Sequence, residues 1–205
     1  MLEAIDLACE RGERRLFDGL DFKLEPGTLL RIAGANGSGK TSLLRILCGL
    51  ALPAHGQVRW EGESIRNLRE EYHRELTYIG HLPAVKDDLT ARENVMISCA
   101  LGGAPVDEAA ADAMLERVGL ARYAEYPARH LSQGQRRRVA LARLAARRPN
   151  RLWVLDEPFT ALDAVAVTLV VDMIAEHLAL GGAAVITSHQ EAMLASVTTT
   201  IIDLG

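Results

Sequence analysis

The chain has 205 residues, 49% of them apolar and 24% charged, which places it among single globular domains with a full-sized core and excludes a disordered or fibrous chain. Its 23 Lys and Arg against 27 Asp and Glu leave a formal net charge of -4, so neither nucleic acid nor an anionic membrane surface is expected as a partner. Cys9, Cys48 and Cys99 form no CxxC pair and no disulfide framework, which fits a reducing cytosol. The N-terminus lacks the regions of a signal peptide, and no stretch approaches the roughly 18 apolar residues of a membrane span, so any membrane role is left to a partner.

No internal repeat and no linker-like run divides the chain, and one domain with an insertion is expected. The pattern predicts strands at Leu20–Leu24 and Leu29–Ala33 around the Pro26-Gly27 turn. A helix from Thr41 to about Leu50 follows, with Leu43, Leu44, Ile46, Leu47 and Leu50 at helical spacing. Strands are predicted at Val58–Trp60 and Thr77–Leu82. From Thr90 the sequence turns helical: Thr90-x-x-Glu93 reads as a capping box, and helices are predicted from Asp107 to Val118 and from Gln133 to Arg148. Strand Leu152–Leu155, helix Ala164–Leu180 and strand Ala183–Ser188 restore the alternation of a parallel sheet. The expected organisation is a single domain over 1–205, with a core of about 1–80 and 150–205 and a helical insert of about 81–149.

Gly34-Ala35-Asn36-Gly37-Ser38-Gly39-Lys40-Thr41 matches the phosphate-loop pattern G-x-x-x-x-G-K-[ST] between a predicted strand and a predicted helix, with Ser42 next in line. Glycines let the backbone turn its N–H groups toward a polyphosphate, the helix presents its positive end, Lys40 reaches the outer phosphates and the Thr41 hydroxyl suits Mg2+. Lysine is scarce, with only Lys23, Lys40 and Lys86, and shuffled chains of this composition would contain the pattern roughly twice in a thousand. Further on, Leu152-Trp153-Val154-Leu155 runs into Asp156-Glu157-Pro158, which puts two carboxylates at the carboxyl end of a buried strand. Asp156 is the expected Mg2+ carboxylate and Glu157 the residue that orients and deprotonates the attacking water. An acidic pair after a strand is more often a turn or a helix cap, and here the phosphate loop is what points it to an NTPase.

Three more segments narrow the class: Leu131-Ser132-Gln133-Gly134-Gln135 opening a basic helix, Ala161-Leu162-Asp163, and Ser188-His189 closing the last buried strand. With them the sequence resembles the ABC-type ATPases over essentially its whole length. That resemblance implies an α/β phosphate-loop NTPase core with a mostly parallel sheet, an N-terminal antiparallel β part and an inserted helical subdomain. It also implies a homodimer that closes head to tail over two ATP molecules. In such a dimer Ser132, Gly134 and Gln135 meet the partner's γ-phosphate, His189 contacts the γ-phosphate, and Asp163 lies at the dimer contact. Each residue also has a purely structural reading. Ser132-x-x-Gln135 fits a self-satisfied capping box, Arg136-Arg137-Arg138 a solvated face, Asp163 an N-cap, and His189 an ordinary hydrogen-bonded strand end.

Two positions depart from that family's pattern. His81, in Tyr78-Ile79-Gly80-His81, stands where a glutamine usually links Mg2+ to the insert, which would make hydrolysis pH-sensitive. Arg11, in Cys9-Glu10-Arg11-Gly12, stands near the place of the usual adenine-stacking aromatic; an arginine plane can stack on a base, and GTP is admitted beside ATP. The runs Leu131–Leu144 and Leu152–Asp163, with His81 and the short length, are similar to the ATPase subunits of cytochrome c maturation, the haem-exporter class. That similarity implies ATP-driven haem export or release of a haem-loaded chaperone. It also implies integral-membrane permease subunits of that system as partners and a place on the cytoplasmic face of the bacterial inner membrane. The chain ends at Gly205 soon after its last predicted strand, so no regulatory domain is expected. The alternatives are the ATPase of another ABC transporter, a soluble ABC ATPase, and a scaffold that binds ATP without turnover.

Overall fold

The computed structural model describes residues 1–146, 151–188 and 199–205. Two compact units emerge, one made of Met1–Tyr78, Asn150–Asp156 and His177–Gly205, the other of Ile79–Pro149 and Glu157–Glu176.

In the first unit, β1 (Leu2–Arg11), β2 (Arg14–Leu24), β3 (Leu29–Ala33), α1 (Lys40–Leu47), β4 (His55–Trp60), β5 (Glu63–Ser64) and α2 (Arg69–Glu75) follow one another, and β6 (Leu76–Ile79) closes the run. After the helical unit come β7 (Leu152–Asp156), β8 (Ala183–Thr187) and β9 (Thr199–Asp203). One sheet has the order β2-β1-β4-β5 with antiparallel pairs, the other the order β6-β7-β8-β3-β9. In the second sheet β3 pairs parallel with both β8 and β9, and β7 parallel with β8. Every residue of β7 and β8 is buried, which is why both read as unbroken apolar runs rather than alternating ones. Helix α1 packs against β1, β7 and β8. It buries Leu43, Leu44, Ile46 and Leu47, each contributing roughly 1.5–3 kcal/mol of burial. Its end is tied by Tyr72, whose hydroxyl donates to the Leu47 carbonyl at 2.6 Å.

The second unit holds α3 (Ala91–Leu101), α4 (Glu108–Arg117) and α5 (Gln133–Ala142), packed on one another, and most of α6 (Ala164–Ala179). Its loops are nailed by side chains. Asn94, 6% exposed, accepts from the Lys86 N–H at 2.7 Å and donates to the carbonyls of Lys86, Leu89 and Thr90. Arg92 forks onto Asp112 at 2.7 and 2.9 Å and also reaches Glu125, joining α3 to α4.

Several boundaries differ from the sequence pattern for identifiable reasons. The pattern passes over β1, β5, α2 and β9. β5 is two residues long, and α2 buries only Tyr72, so neither shows a periodic stripe. The helix predicted to run to Arg148 ends at Ala142, where a 3-10 turn, Arg143–Ala145, leads into extended backbone at Ala146. All three cysteines are buried and free, and burial pushes each thiol up, away from reactivity.

Candidate nucleotide site

The phosphate loop joins β3 to α1 as the motif requires. Ala35, Asn36 and Gly37 are exposed while Ser38 is buried, so the loop presents its backbone outward over an anchored hydroxyl. The Ser38 Oγ has no hydrogen-bond partner among the described residues. Gly34, at φ 137°, has a backbone conformation that other residues adopt only with strain, and a Cβ there would lie 2.6 Å from that oxygen and 3.3 Å from the Gly205 carbonyl. Gly39 caps α1 at φ 108° with no side-chain hydrogen bond, so no side chain of the loop occupies the N–H groups of the first turn. Lys40 Nζ donates to the Gly34 carbonyl at 2.6 Å and the Ala35 carbonyl at 3.0 Å, curling back over its own loop. The Ala35 N–H donates to the Gly205 carbonyl at 3.1 Å. Ser42 lies against Cys9 of β1.

Asp156 closes β7 and is 2% exposed. Its Oδ2 accepts from Thr41 Oγ1 at 2.9 Å and its Oδ1 from Thr187 Oγ1 at 2.8 Å. A carboxylate this deep is tolerated because two hydroxyls donate to it. Thr41 and Asp156, expected to share a metal, are thus in direct contact, and both supply the hard oxygens that suit Mg2+. No cluster of three or more His, Cys, Asp or Glu fit to hold a metal occurs among the described residues. This spare donor set is the one a phosphate-bound Mg2+ needs, since the cation keeps waters and takes the rest of its ligands from the nucleotide.

In the helical unit Glu157 has φ 48° and Ala161 φ 64°, left-handed values that non-glycine residues adopt at a cost of about 1–3 kcal/mol when the surroundings impose them. The surroundings here include α5. Arg137, 3% exposed, donates from Nη2 to the Glu157 carbonyl at 2.9 Å and from Nε to the Pro158 carbonyl at 3.3 Å. Its Nη1 donates to the carbonyls of Gly80 at 2.7 Å and His81 at 3.1 Å. The Ala161 carbonyl approaches so near that a Cβ on Gly134 would lie 2.4 Å from it, which gives that glycine a packing reason beside any role toward phosphate.

Ser132 and Gln135 form the complete capping box: Ser132 N–H donates to Gln135 Oε1 at 2.8 Å, and Gln135 N–H to Ser132 Oγ at 3.2 Å. Asp163 is the N-cap of α6, its Oδ1 accepting from the Ala166 N–H at 2.8 Å. Both structural readings are therefore realised. The solvated-face reading holds for Arg136, which pairs with Asp87 at 2.7 Å, and fails for buried Arg137. The His81 side chain is exposed, and so is Arg11, in register with Arg14 at the end of β1. His189 lies outside the described residues. Thr187 and Arg137 are the residues that sequence reasoning passes over. Thr187 is a hydroxyl at the carboxyl end of a wholly buried strand, and Arg137 shares a helical stripe with buried Leu141 and Leu144.

Comparison with known proteins gives this geometry a class. The ABC transporter family model matches residues 17–160. The chain belongs to the ABC transporter family and is an ABC-type ATPase. Among its relatives, the cytochrome c biogenesis ATP-binding export protein CcmA of Aromatoleum aromaticum is 55% identical over 205 residues, covering 100% of this chain and 95% of that protein. The protein of the same name from Nitrosomonas europaea is 54% identical over 198 residues, covering 97% and 92%. Solved structures with the same fold include an ATP-binding subunit of an ABC transporter, with TM-score 0.84, 24% identity and 100% and 87% coverage. Another is an ATP-binding cassette in a dimeric post-hydrolysis state bound to ADP and Pi, with TM-score 0.86, 22% identity and 100% and 95% coverage.

Proposed function

We propose that this chain is the ATP-hydrolysing subunit of a membrane complex for c-type cytochrome biogenesis, converting ATP and water to ADP and phosphate as a homodimer. The observation that carries the reading is the contact of Thr41 with Asp156 beside a helix N-terminus that no side chain caps. Full-length identity of 55% to a cytochrome c biogenesis ATP-binding export protein supports the cellular role.

The N–H groups opening α1 receive the phosphates, and Lys40 leaves the Gly34 and Ala35 carbonyls for the outer two. Thr41 and Asp156 would hold Mg2+, which when bound neutralises charge building up between the outer phosphates. Thr187 keeps Asp156 oriented. Glu157 aligns the attacking water and takes its proton, and Ser132, Gly134 and Gln135 of the second copy bind the γ-phosphate, with Asp163 at the dimer contact. His189 contacts the γ-phosphate, His81 joins the Mg2+ side to the helical unit, and Arg11 stacks on the base. No helix among the described residues is long and apolar enough to cross a membrane. Likeness to cytochrome c biogenesis export proteins supports assigning the chain to the cytoplasmic face of the inner membrane through integral-membrane permease subunits.

The test is to tag the chain in its host, solubilise the membranes gently and identify what co-purifies, while measuring covalently haem-bearing cytochrome in a Lys40→Ala strain. Haem-handling membrane subunits together with loss of c-type cytochromes support the reading. A different permease, or a purely soluble pool with cytochromes intact, overturns it.

A further inference from the structure

We infer that Arg137 is a positioning residue for ATP hydrolysis, its guanidinium clamping the main chain of Glu157 and of the Gly80-His81 loop in one arrangement. The inference rests on Glu157 being the residue that activates water, and it concerns how that residue is held. A charged side chain that is 3% exposed is rare unless its charge is answered. Here the answer comes from four main-chain carbonyls, those of Gly80, His81, Glu157 and Pro158, at 2.7, 3.1, 2.9 and 3.3 Å. They belong to two loops far apart in sequence, and a planar fork with five N–H donors is the one side chain able to reach both at once.

The clamp sits where the backbone is least free to hold itself. Glu157 is at φ 48°, and its carbonyl also accepts from the Thr160 N–H at 3.2 Å, so the direction of its carboxylate depends on a turn that Arg137 braces from behind. Arg137 is carried by α5, about one and a half turns from Ser132 at the start of that helix, while Gly134 of the same helix presses on Ala161. One helix therefore carries the residues expected to meet a partner's phosphate, the brace on the hydrolytic carboxylate and the contact with the turn before Asp163. These four bonds go to main-chain carbonyls, and it is through the backbone they hold that Arg137 acts on the reaction.

Arg137→Gln keeps a polar group but lacks the fork, and a displacement of the order of 1 Å at Glu157 costs about 10²-fold in turnover. On the full chain with whatever membrane subunits co-purify, kcat is expected to fall by that factor while the Kd for ATP stays within two-fold. The readout that separates positioning from mere structure is the double variant with Glu157→Gln. If Arg137 works through the Glu157 carboxylate, single-turnover hydrolysis of the double variant falls no further than about two-fold below Glu157→Gln alone. Multiplied losses, or a Kd that rises in step with the fall in kcat, overturn the inference, as does wild-type turnover in Arg137→Gln. Should Arg137→Gln fail to fold, Arg137→Lys carries the test, since one ammonium can bond one loop but not both; about a ten-fold loss in kcat is expected, and unchanged kcat overturns the clamp. Undiminished hydrolysis in Glu157→Gln alone would instead overturn the role of Glu157.

Discussion

Helices α1 and α5 both open at residues assigned to phosphate, yet their N-termini are built in opposite ways. Gly39 starts α1 with a left-handed φ and no side-chain cap, and beside it a buried Ser38 hydroxyl has no partner among the described residues. Ser132 and Gln135 start α5 with both bonds of a capping box, as Thr90 and Glu93 do for α3, and Asp107 caps α4 from its side chain alone. The first N-terminus is built to receive an anion at all times. At the second, the Ser132 and Gln135 side chains already hold the Gln135 and Ser132 N–H groups, and a phosphate that takes either group displaces that partner. Under the proposed function, nucleotide binds first at the phosphate loop of one copy, and α5 of the second copy engages it afterwards.

The largest expected effect is on the open end. Lys40→Ala removes two charge-assisted bonds' worth of cation from the phosphates, at about 1.5–3 kcal/mol each, so the Kd for ATP should rise by 10² or more; a calorimetric Kd unchanged by the substitution would break the contrast. Next comes the carboxylate under α1. Thr187→Val strips one of the two described hydroxyl donors from a carboxylate that is 2% exposed, and about 1–3 kcal/mol of stability should go with it. For a chain of this size that is roughly 2–4 °C of melting temperature per kcal/mol, and a melt within 1 °C of wild type would show Thr187 to be dispensable.

The self-satisfied end should respond more gently. Ser132→Ala removes the cap and is expected to cost about 1 kcal/mol in thermal stability while leaving ATP affinity at the phosphate loop alone. A fall in monomer affinity for ATP would mean that the α5 terminus is not held in reserve. Smallest is a pH effect confined to the phosphate-loop unit. His177 is 3% exposed, stacks on Trp153 with ring centroids 3.9 Å apart, and contacts the Ala183 carbonyl at 3.1 Å. Burial holds its pKa below the ordinary value of 6.5. The unfolded chain therefore takes up a proton that the folded chain refuses, so stability is full above about pH 6.5 and declines below it, by at most about 1.4 kcal/mol per pH unit. His177→Phe keeps an aromatic ring on Trp153 and should flatten this decline in melts between pH 7 and pH 5. Equal declines in both proteins would contradict the assignment.

How much of this could be read from the sequence follows from what each feature depends on. The phosphate loop, the acidic end of β7 and the capping boxes at Thr90 and Ser132 are local, fixed by residues within a few positions of one another, and the structure has them in place. The parallel sheet was legible because β7 and β8 are buried on both faces and carry unbroken apolar runs. β9 carries no such signal: its Thr199-Thr200-Ile201-Ile202-Asp203 lies at the sheet edge beside β3 with two exposed residues next to each other. Arg137 was hidden by its neighbours, since within Arg136-Arg137-Arg138 nothing local distinguishes the residue that turns inward from the one that pairs with Asp87. Its partners lie about 20 and 57 residues away in sequence, and only the tertiary fold brings their carbonyls to it.

Under the proposed function, the Glu157 carboxylate directly after Asp156 makes this chain hydrolyse what its phosphate loop binds. The most direct measurement is phosphate release by wild type and Glu157→Gln at saturating Mg-ATP, with ATP binding followed in parallel. Unchanged binding and a loss of about 10²- to 10⁴-fold in release are expected for the variant. Equal release from the two proteins, with binding intact in both, would contradict this reading.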